Sequence, residues 1–470
     1  MAITEATTVM RPVETGERIQ VMDVLRGLAL LGIALMNIEF FNSPTWEFQR
    51  GLPPELTGLD RIAGWWVLVL VTGKFWMLFS ILFGMGFALM LERAQARGAP
   101  FMKTYLRRTF ALMVFGLLHA IVLWNGDILY GYSITAIMLL LTLFGRWWHW
   151  LIVAAVAGVV WLVTQNTAWS MMAAPLVLAA LLAPYLRNTE KPWRLWRAAV
   201  ALYGLFAVLQ LVGGIAMTLK PDAKQAQTAE QQAALQKRIA KVEATERAEA
   251  KAFQSPVFAD GLARRAESFI GHHAPNNAIF SVIALPMFLL GAWLARSRRI
   301  VEAERFKAFW RRWLWLLPVA VTITAASMWI GEWMPRGNEA AMGKPMIGHA
   351  LRMAMAPVMT FGYIAMVVLL MQRAAGRKWI GWIAPAGRMA LTNYLMQSLI
   401  CAFVFYGWGL AQWGMPRHQQ VLFVGAMWLA QVALSHVWLR HFRYGPMEWL
   451  WRWLTYGRMP ALRAPAASTA

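Results

Sequence analysis

Apolar residues along this chain gather into long runs divided by short polar loops. Twelve runs approach or reach the roughly 17 to 25 helical residues that cross a hydrocarbon core of about 30 Å. They fall near 20–41, 66–91, 108–125, 127–144, 149–164, 169–186, 197–218, 276–295, 311–331, 350–371, 389–410 and 420–440. The pattern predicts an all-α, polytopic transmembrane helical bundle of about twelve spans. The fifth and sixth runs are short and weakly separated, so ten or eleven spans also fit. Residues 220–253 break the pattern, being rich in Ala, Gln, Glu and Lys. There Leu235, Ile239 and Val242 form a narrow apolar stripe and Glu243 stands four residues before Arg247, which predicts a soluble helix. The expected organisation is an N-terminal bundle over 1–219, an extracytoplasmic helical insert over 220–275, a C-terminal bundle over 276–440 and a cytoplasmic tail over 441–470.

Composition agrees with a lipid environment: of 470 residues, 59% are hydrophobic and 14% charged, with 27 tryptophans. The net charge of +22 would suit a nucleic-acid partner only if the basic residues formed a patch. Instead they crowd alternate short loops, after the second run (Arg93, Arg97, Lys103, Arg107, Arg108), the sixth (Arg187, Lys191, Arg194, Arg197) and the eighth (Arg296, Arg298, Arg299, Arg305, Lys307). By the excess of positive charge in cytoplasmic loops, both termini are expected in the cytoplasm and the insert outside, with no nucleic-acid partner. The polar, acid-containing N-terminus predicts no cleaved signal peptide. Cys401 is the single cysteine, which excludes a disulfide framework, and no metal site is expected. Walker, GxSxG and HExxH patterns are missing, so ATP-driven work and zinc hydrolysis are poor expectations.

Ionisable residues inside apolar runs are costly unless they are paired or face a wet cavity, so they carry the functional reading. Asp23 and Arg26 lie one helical turn apart at the start of the first run, and Asn37 lies about 16 Å further along the same helix. An arginine held by an aspartate is suited to a phosphate or carboxylate, although a helix-entry ion pair at the interface has the same pattern. Lys74 opens the second helix, where a lysine is either a boundary anchor or a substrate contact. Gly84 and Gly86 suggest close helix packing. His119, deep in the third run, precedes Asp127 by eight residues; imidazole exchanges protons near neutral pH, so these two are the candidate catalytic residues. Arg388 with Thr392, and Asn393 with Gln397, stand at one-turn spacings that make one helix face polar, and Arg388, Asn393 and Gln397 are candidate substrate contacts with Asp23, Arg26, Asn37 and Lys74. Arg26 and the Asn393–Gln397 face are expected to border one cavity.

The segments DVLRGLALLGIALMNI, KFWMLFSILFGMGFALM, FGLLHAIVLWNGDIL, GRMALTNYLMQSLIC and RYGPMEWLWRWLT occur in this order over most of the chain. Together they resemble the YeiB-like family of bacterial inner-membrane proteins, a domain of unknown function, and the resemblance implies a multi-pass protein of the inner membrane. The family's first helix is similar to that of a wider group of transmembrane acyltransferases, in which an arginine is followed after ten residues by an essential histidine. Arg26 matches that arginine, but Asn37 stands at the histidine position, and an amide takes no proton from a hydroxyl at neutral pH.

Three functions follow as expectations. The first is transfer of an acyl group from acyl-coenzyme A, a co-substrate rather than a tightly bound cofactor, to a glycan, lipid or small molecule. In the second the same residues move an anionic or amphipathic solute, with His119 and Asp127 carrying protons. In the third the protein is a non-catalytic sensory or accessory component of the bilayer, and the polar residues serve packing.

Overall fold

The computed structural model describes residues 19–43, 51–165, 169, 173–187, 190–219, 229–331, 333 and 342–463. The stretch read for a signal peptide, the first part of the insert (220–228) and the end of the tail lie outside the described residues. In chain order, α1 (Gln20–Asn42) and a short α2 (Gly58–Trp66) lead through a π-helical turn, Val67–Val71, into α3 (Lys74–Ala96). Five helices follow: α4 (Phe101–Val122), α5 (Leu129–Phe144), α6 (Trp147–Thr164), α7 (Ala173–Leu186) and α8 (Pro192–Leu219). The insert contributes α9 (Ala229–Phe253) and α10 (Phe258–Ser268), then a second π-helical turn, Phe269–His273, runs into α11 (Ala274–Arg296). The chain continues as α12 (Lys307–Ile330), α13 (Gly343–Gln372), the short α14 (Ala374–Ile380) and α15 (Ala384–Arg388), then α16 (Ala390–Phe405), α17 (Arg417–His441) and α18 (Pro446–Tyr456).

Every one of the twelve apolar runs forms a helix. Among the described residues nine helical stretches are long and apolar enough to cross a membrane, and Leu129–Phe144, Leu176–Leu186 and Ala390–Phe405 are shorter apolar helices. The protein is an all-α, multi-pass membrane protein. In the insert the Glu243–Arg247 pair forms as its spacing requires, at 3.0 Å.

Helices from both sides of the insert pack into one bundle: α3 lies against α11, and α1 against α15, α16 and α17. Lipid tails are as apolar as leucine, so such contacts depend on how closely backbones approach. Gly84 and Gly291 supply that approach between α3 and α11, each meeting the other helix's backbone where a Cβ would stand. Gly27 does the same for α1 against Ile383, and Gly387 for α15 against Asp23. Gly86 does not; its missing side chain leaves open space.

The bundle has two distinct ends. One, the basic end, gathers Asp23, Arg26, Arg93, Arg97, Arg108, Arg388 and Arg452. At the other, the far end, Arg417 pairs with Glu39, the Asn42 amide donates to the Met415 carbonyl at 3.0 Å, and His418 meets Asp60 at 2.8 Å. Two cations buried towards this end cap helix C-termini, whose last carbonyls lack helical donors and carry partial negative charge. Arg265 donates to the carbonyls of Ile121 and Val122 at 3.0 and 2.9 Å, and Arg352 to that of Gly331 at 3.0 Å.

Candidate active site

A cavity of about 270 Å³ opens at the basic end and runs inward between α1, α3, α4, α5, α16 and α18. Its mouth carries six arginines, Arg26, Arg93, Arg97, Arg108, Arg388 and Arg452, with Asp23 and Glu448. Deeper, the wall is Phe79, Leu82, Phe83, Met90 and Leu112, and the inner end is closed by Tyr132, Ile128, Leu129 and Tyr394. Along α3 the distance from Arg93 at the mouth to Phe79 inside is fourteen residues, about 21 Å at the helical rise. Gly86 lies on this wall, which is why a Cβ there meets no neighbour.

Several arginines are held by the scaffold. Arg26 donates to Asp23 at 2.7 Å. The Arg108 guanidinium lies 3.7 Å over the Trp451 ring, joining α4 to α18, and the Trp451 indole donates to the Arg108 carbonyl at 2.9 Å. Glu448 accepts from the backbone N–H groups of Leu391 and Thr392 at 2.6 and 3.1 Å and from the Thr392 hydroxyl at 2.6 Å, so it caps the start of α16. Burial pushes the Glu448 carboxyl above the usual carboxylate range, and the three donors offset that rise only in part.

Immediately behind the inner end sits a buried acid–base pair. His119 lies on the last turn of α4, and its Nδ1 is 2.8 Å from Asp127 Oδ1, with side chains 1% and 0% exposed. Asp127 Oδ2 accepts from the Tyr130 N–H at 2.7 Å, which fixes the carboxylate at the start of α5. The close approach of α4 and α5 needs Gly116, since a Cβ there would strike the Tyr130 nitrogen and the Asp127 carboxylate. With Asp127 ionised, the proton on the imidazole belongs on Nδ1. His119 Nε2 then presents a lone pair, and it is buried with no hydrogen-bond partner among the described residues. Tyr394 stands between this pair and the cavity. Its hydroxyl makes a long bond to Asp127 Oδ1, 3.5 Å, and accepts from the Ile128 N–H at 3.4 Å, while its ring centroid is 5.2 Å from that of His119. Towards the far end Trp124 stacks on Phe41 at 4.7 Å, and Tyr406 stacks on Phe253 of the insert at 4.9 Å, an aromatic plug over the histidine.

Of the nine residues singled out in the sequence, Asp23, Arg26 and Arg388 line the cavity. His119 and Asp127 meet one another behind its inner end. Asn393 and Gln397 turn away from it and bond to α17: Asn393 donates to Ser435 at 3.0 Å, and Gln397 donates to Gln431 at 2.9 Å. The expected cavity shared by Arg26 and the Asn393–Gln397 face does not form: these amides are taken up by α17, and Tyr394, one position round the helix, lines the cavity with Arg26 instead. Asn37 is half-buried towards the far end, outside the cavity. Lys74 is also remote, 1% exposed, and donates to the Leu68 carbonyl of the π-helical turn at 3.3 Å, which is a buried cap in place of an interfacial anchor.

The sequence reading missed the cavity roles of Arg93, Arg97, Arg108, Arg452 and Glu448, having taken the arginines as loop and tail charges. A signal was present: Arg93 and Arg97, and likewise Glu448 and Arg452, are four apart and share a helix face.

Comparison with known proteins gives the chain's relatives. Residues 294–458, which hold Arg388, Tyr394, Glu448 and Arg452, match the family model described as "Protein of unknown function (DUF418)". The chain is 30% identical over 454 residues to "Uncharacterized protein YxaH" of Bacillus subtilis (strain 168), which covers 95% of this chain and 96% of that protein. It is 28% identical over 448 residues to "Uncharacterized protein YeiB" of Escherichia coli (strain K12), covering 93% and 96% of the two chains.

Proposed function

The chain belongs to the YeiB-like family of bacterial membrane proteins, and on that premise we propose that it transfers an acyl group from acyl-coenzyme A to a hydroxyl or amine of a glycan, lipid or small molecule. One observation carries the reading: a desolvated His–Asp pair lies directly behind the inner end of a narrow cavity whose mouth is ringed with guanidinium groups. Arginines bind phosphate oxygens bidentately, so the mouth is suited to the phosphates of the donor. A depth of about 21 Å with apolar walls is suited to a slender arm ending in a thioester.

In this reading Asp127 keeps the His119 proton on Nδ1, and Nε2 accepts the proton of the acceptor hydroxyl as its oxygen attacks the thioester carbonyl. The new C–O bond forms, the C–S bond breaks, and the proton passes from Nε2 to the departing thiolate. Tyr394 must swing aside for the carbonyl to reach His119, which makes it the gate between donor arm and base. The arginine-rich mouth is proposed to face the cytoplasm, where acyl-coenzyme A is available, in an inner membrane with both termini on that side.

The test is transfer from radiolabelled acetyl-coenzyme A by the purified protein. His119→Ala is expected to lower transfer by about 10²- to 10⁴-fold while leaving donor binding intact, and Arg26→Ala to weaken binding. A second reading, proton-coupled transport, draws support from the one-sided opening of the cavity beneath the aromatic plug. Uptake into vesicles that is abolished by both substitutions, without any acyl transfer, would replace the first reading with the second.

A further inference from the structure

A second recess, outside the cavity just described, lies between the start of α1, the α14–α15 segment and the end of α17. Gln20, Asp23, Gly381, Pro385, Arg388 and His436 line it. It shares Asp23 and Arg388 with the deep cavity, so one guanidinium borders both spaces. Its surroundings differ from those of the arginine-ringed mouth. Trp379 and Trp382 beside it are 79% and 40% exposed, and Leu434 and Val437 on the outer face of α17, turned away from His436, are 57% and 55% exposed. Indole rings of this kind collect at the level of lipid headgroups, and a helix face of exposed leucine and valine in a membrane protein meets acyl chains. Exposed indoles and an exposed aliphatic helix face beside the recess are the surroundings of a site at lipid-headgroup depth. Arg373, Arg377 and Lys378 precede the recess in the chain and Arg440 follows His436 by one turn of α17, adding cations to Arg388, while the recess's own carboxylate, Asp23, accepts from Arg26.

We propose that this recess is a binding site for the anionic phosphodiester headgroup of a bilayer lipid, which enters from the side with its phosphate directed to Arg388 and its acyl chains along α17. Three features act together: cationic residues recruit the anionic head, Gly381 and Pro385 leave room for it, and the outer face of α17 accepts the tails. A phosphate without tails lacks the last of these, and a tail without phosphate lacks the first. The site stands on its own geometry and does not depend on acyl transfer. Through Arg388, however, it places a membrane-borne molecule beside the entrance of the deep cavity.

Two glycines make the proposal testable. A Cβ at Gly381 meets only the Gln20 amide nitrogen, at 3.6 Å, and one at Gly86 meets nothing within 4 Å. Gly381→Trp fills the recess and Gly86→Trp fills the deep cavity, with no backbone in the way of either first atom. The measurement is native mass spectrometry of the detergent-purified protein with dioleoyl-phosphatidylglycerol, alongside dioleoylglycerol and inorganic phosphate, with unfolding temperature recorded for each variant. One phosphatidylglycerol is expected to stay bound to the wild type and to Gly86→Trp. Gly381→Trp, folded to the same unfolding temperature, is expected to lose at least tenfold in occupancy, and neither dioleoylglycerol nor inorganic phosphate should compete. Equal retention by Gly381→Trp, or equal binding of dioleoylglycerol, would overturn the site, as would displacement by inorganic phosphate alone. Acetyl-coenzyme A binding by the same proteins separates this outcome from the fate of the acyl-transfer reading, because it should fail in Gly86→Trp and persist in Gly381→Trp. Should Gly381→Trp fail to fold, Pro385→Leu and Gln20→Trp fill the recess from its other walls, and retention of the lipid by both would sink the site in the same way.

Discussion

Asp127 gives one carboxylate oxygen to His119 and the other to the backbone of α5. Its carboxyl holds the imidazole at Nδ1, and on the proposed reading this orientation is the chemical content of the site. Asp127→Asn can present an N–H to Nδ1, which would move the imidazole proton to Nε2 and remove the lone pair proposed to act as base. Transfer is expected to fall by about 10²- to 10⁴-fold with the fold retained, and nitrogen NMR of labelled His119 should show the tautomer reversed. Glu448 offers a test by pH. Burial raises its carboxyl in the folded protein, so its contribution to stability is full below the ordinary carboxylate value of about 4.3 and is lost as pH rises through the raised folded value. Glu448→Gln keeps an acceptor for the Leu391 and Thr392 N–H groups and removes the titration. Above about pH 4.3, the unfolding temperature of the wild type should fall with rising pH more than that of Glu448→Gln; parallel profiles would refute the assignment.

At the scale of helices, spacing along the sequence exposed some contacts and concealed others. The run of apolar residues decides which segments are buried in lipid, so all twelve helical regions were legible, as was the soluble helix of the insert with its Glu243–Arg247 pair. Helix neighbours were not, because they depend on which face turns inward. Gly84 and Gly86 are alike in sequence, but Gly84 lies against the backbone of Phe288 and Gly86 faces the cavity. Gly84→Leu should destabilise the protein by roughly 1 to 3 kcal/mol through overpacking, whereas Gly86→Ala should be neutral or stabilising by up to about 1 kcal/mol, both read from reversible unfolding in detergent. The His119–Asp127 pair was legible as a proximity across a turn, because eight residues that reverse direction return the chain beside itself. Tyr394 was hidden, since nothing local says that a tyrosine on α16 will stand over a histidine on α4. The insert enters here too: Arg265 caps the carbonyls of Ile121 and Val122, two and three residues after His119. Arg265→Met should loosen that end of α4, seen as faster amide exchange at residues 119–127.

The whole molecule places cationic groups around one opening and an aromatic plug at the opposite end, with the histidine between them. Such an asymmetry gives each side of the membrane different access to one buried group. If the topology is as proposed, cysteines placed at Gly98 and Ser255 in a Cys401→Ser background should react with impermeant thiol reagents from opposite sides of the inner membrane, Gly98 only after cytoplasmic access. The central claim is that the arginine-mouthed cavity receives an anionic acyl donor and delivers it to His119. Equilibrium binding of radiolabelled acetyl-coenzyme A to the purified wild type and to Gly86→Trp tests it most directly. Saturable binding to the wild type, reduced at least tenfold in a folded Gly86→Trp protein, is the expected result, and equal binding to both, or none to the wild type, would contradict it.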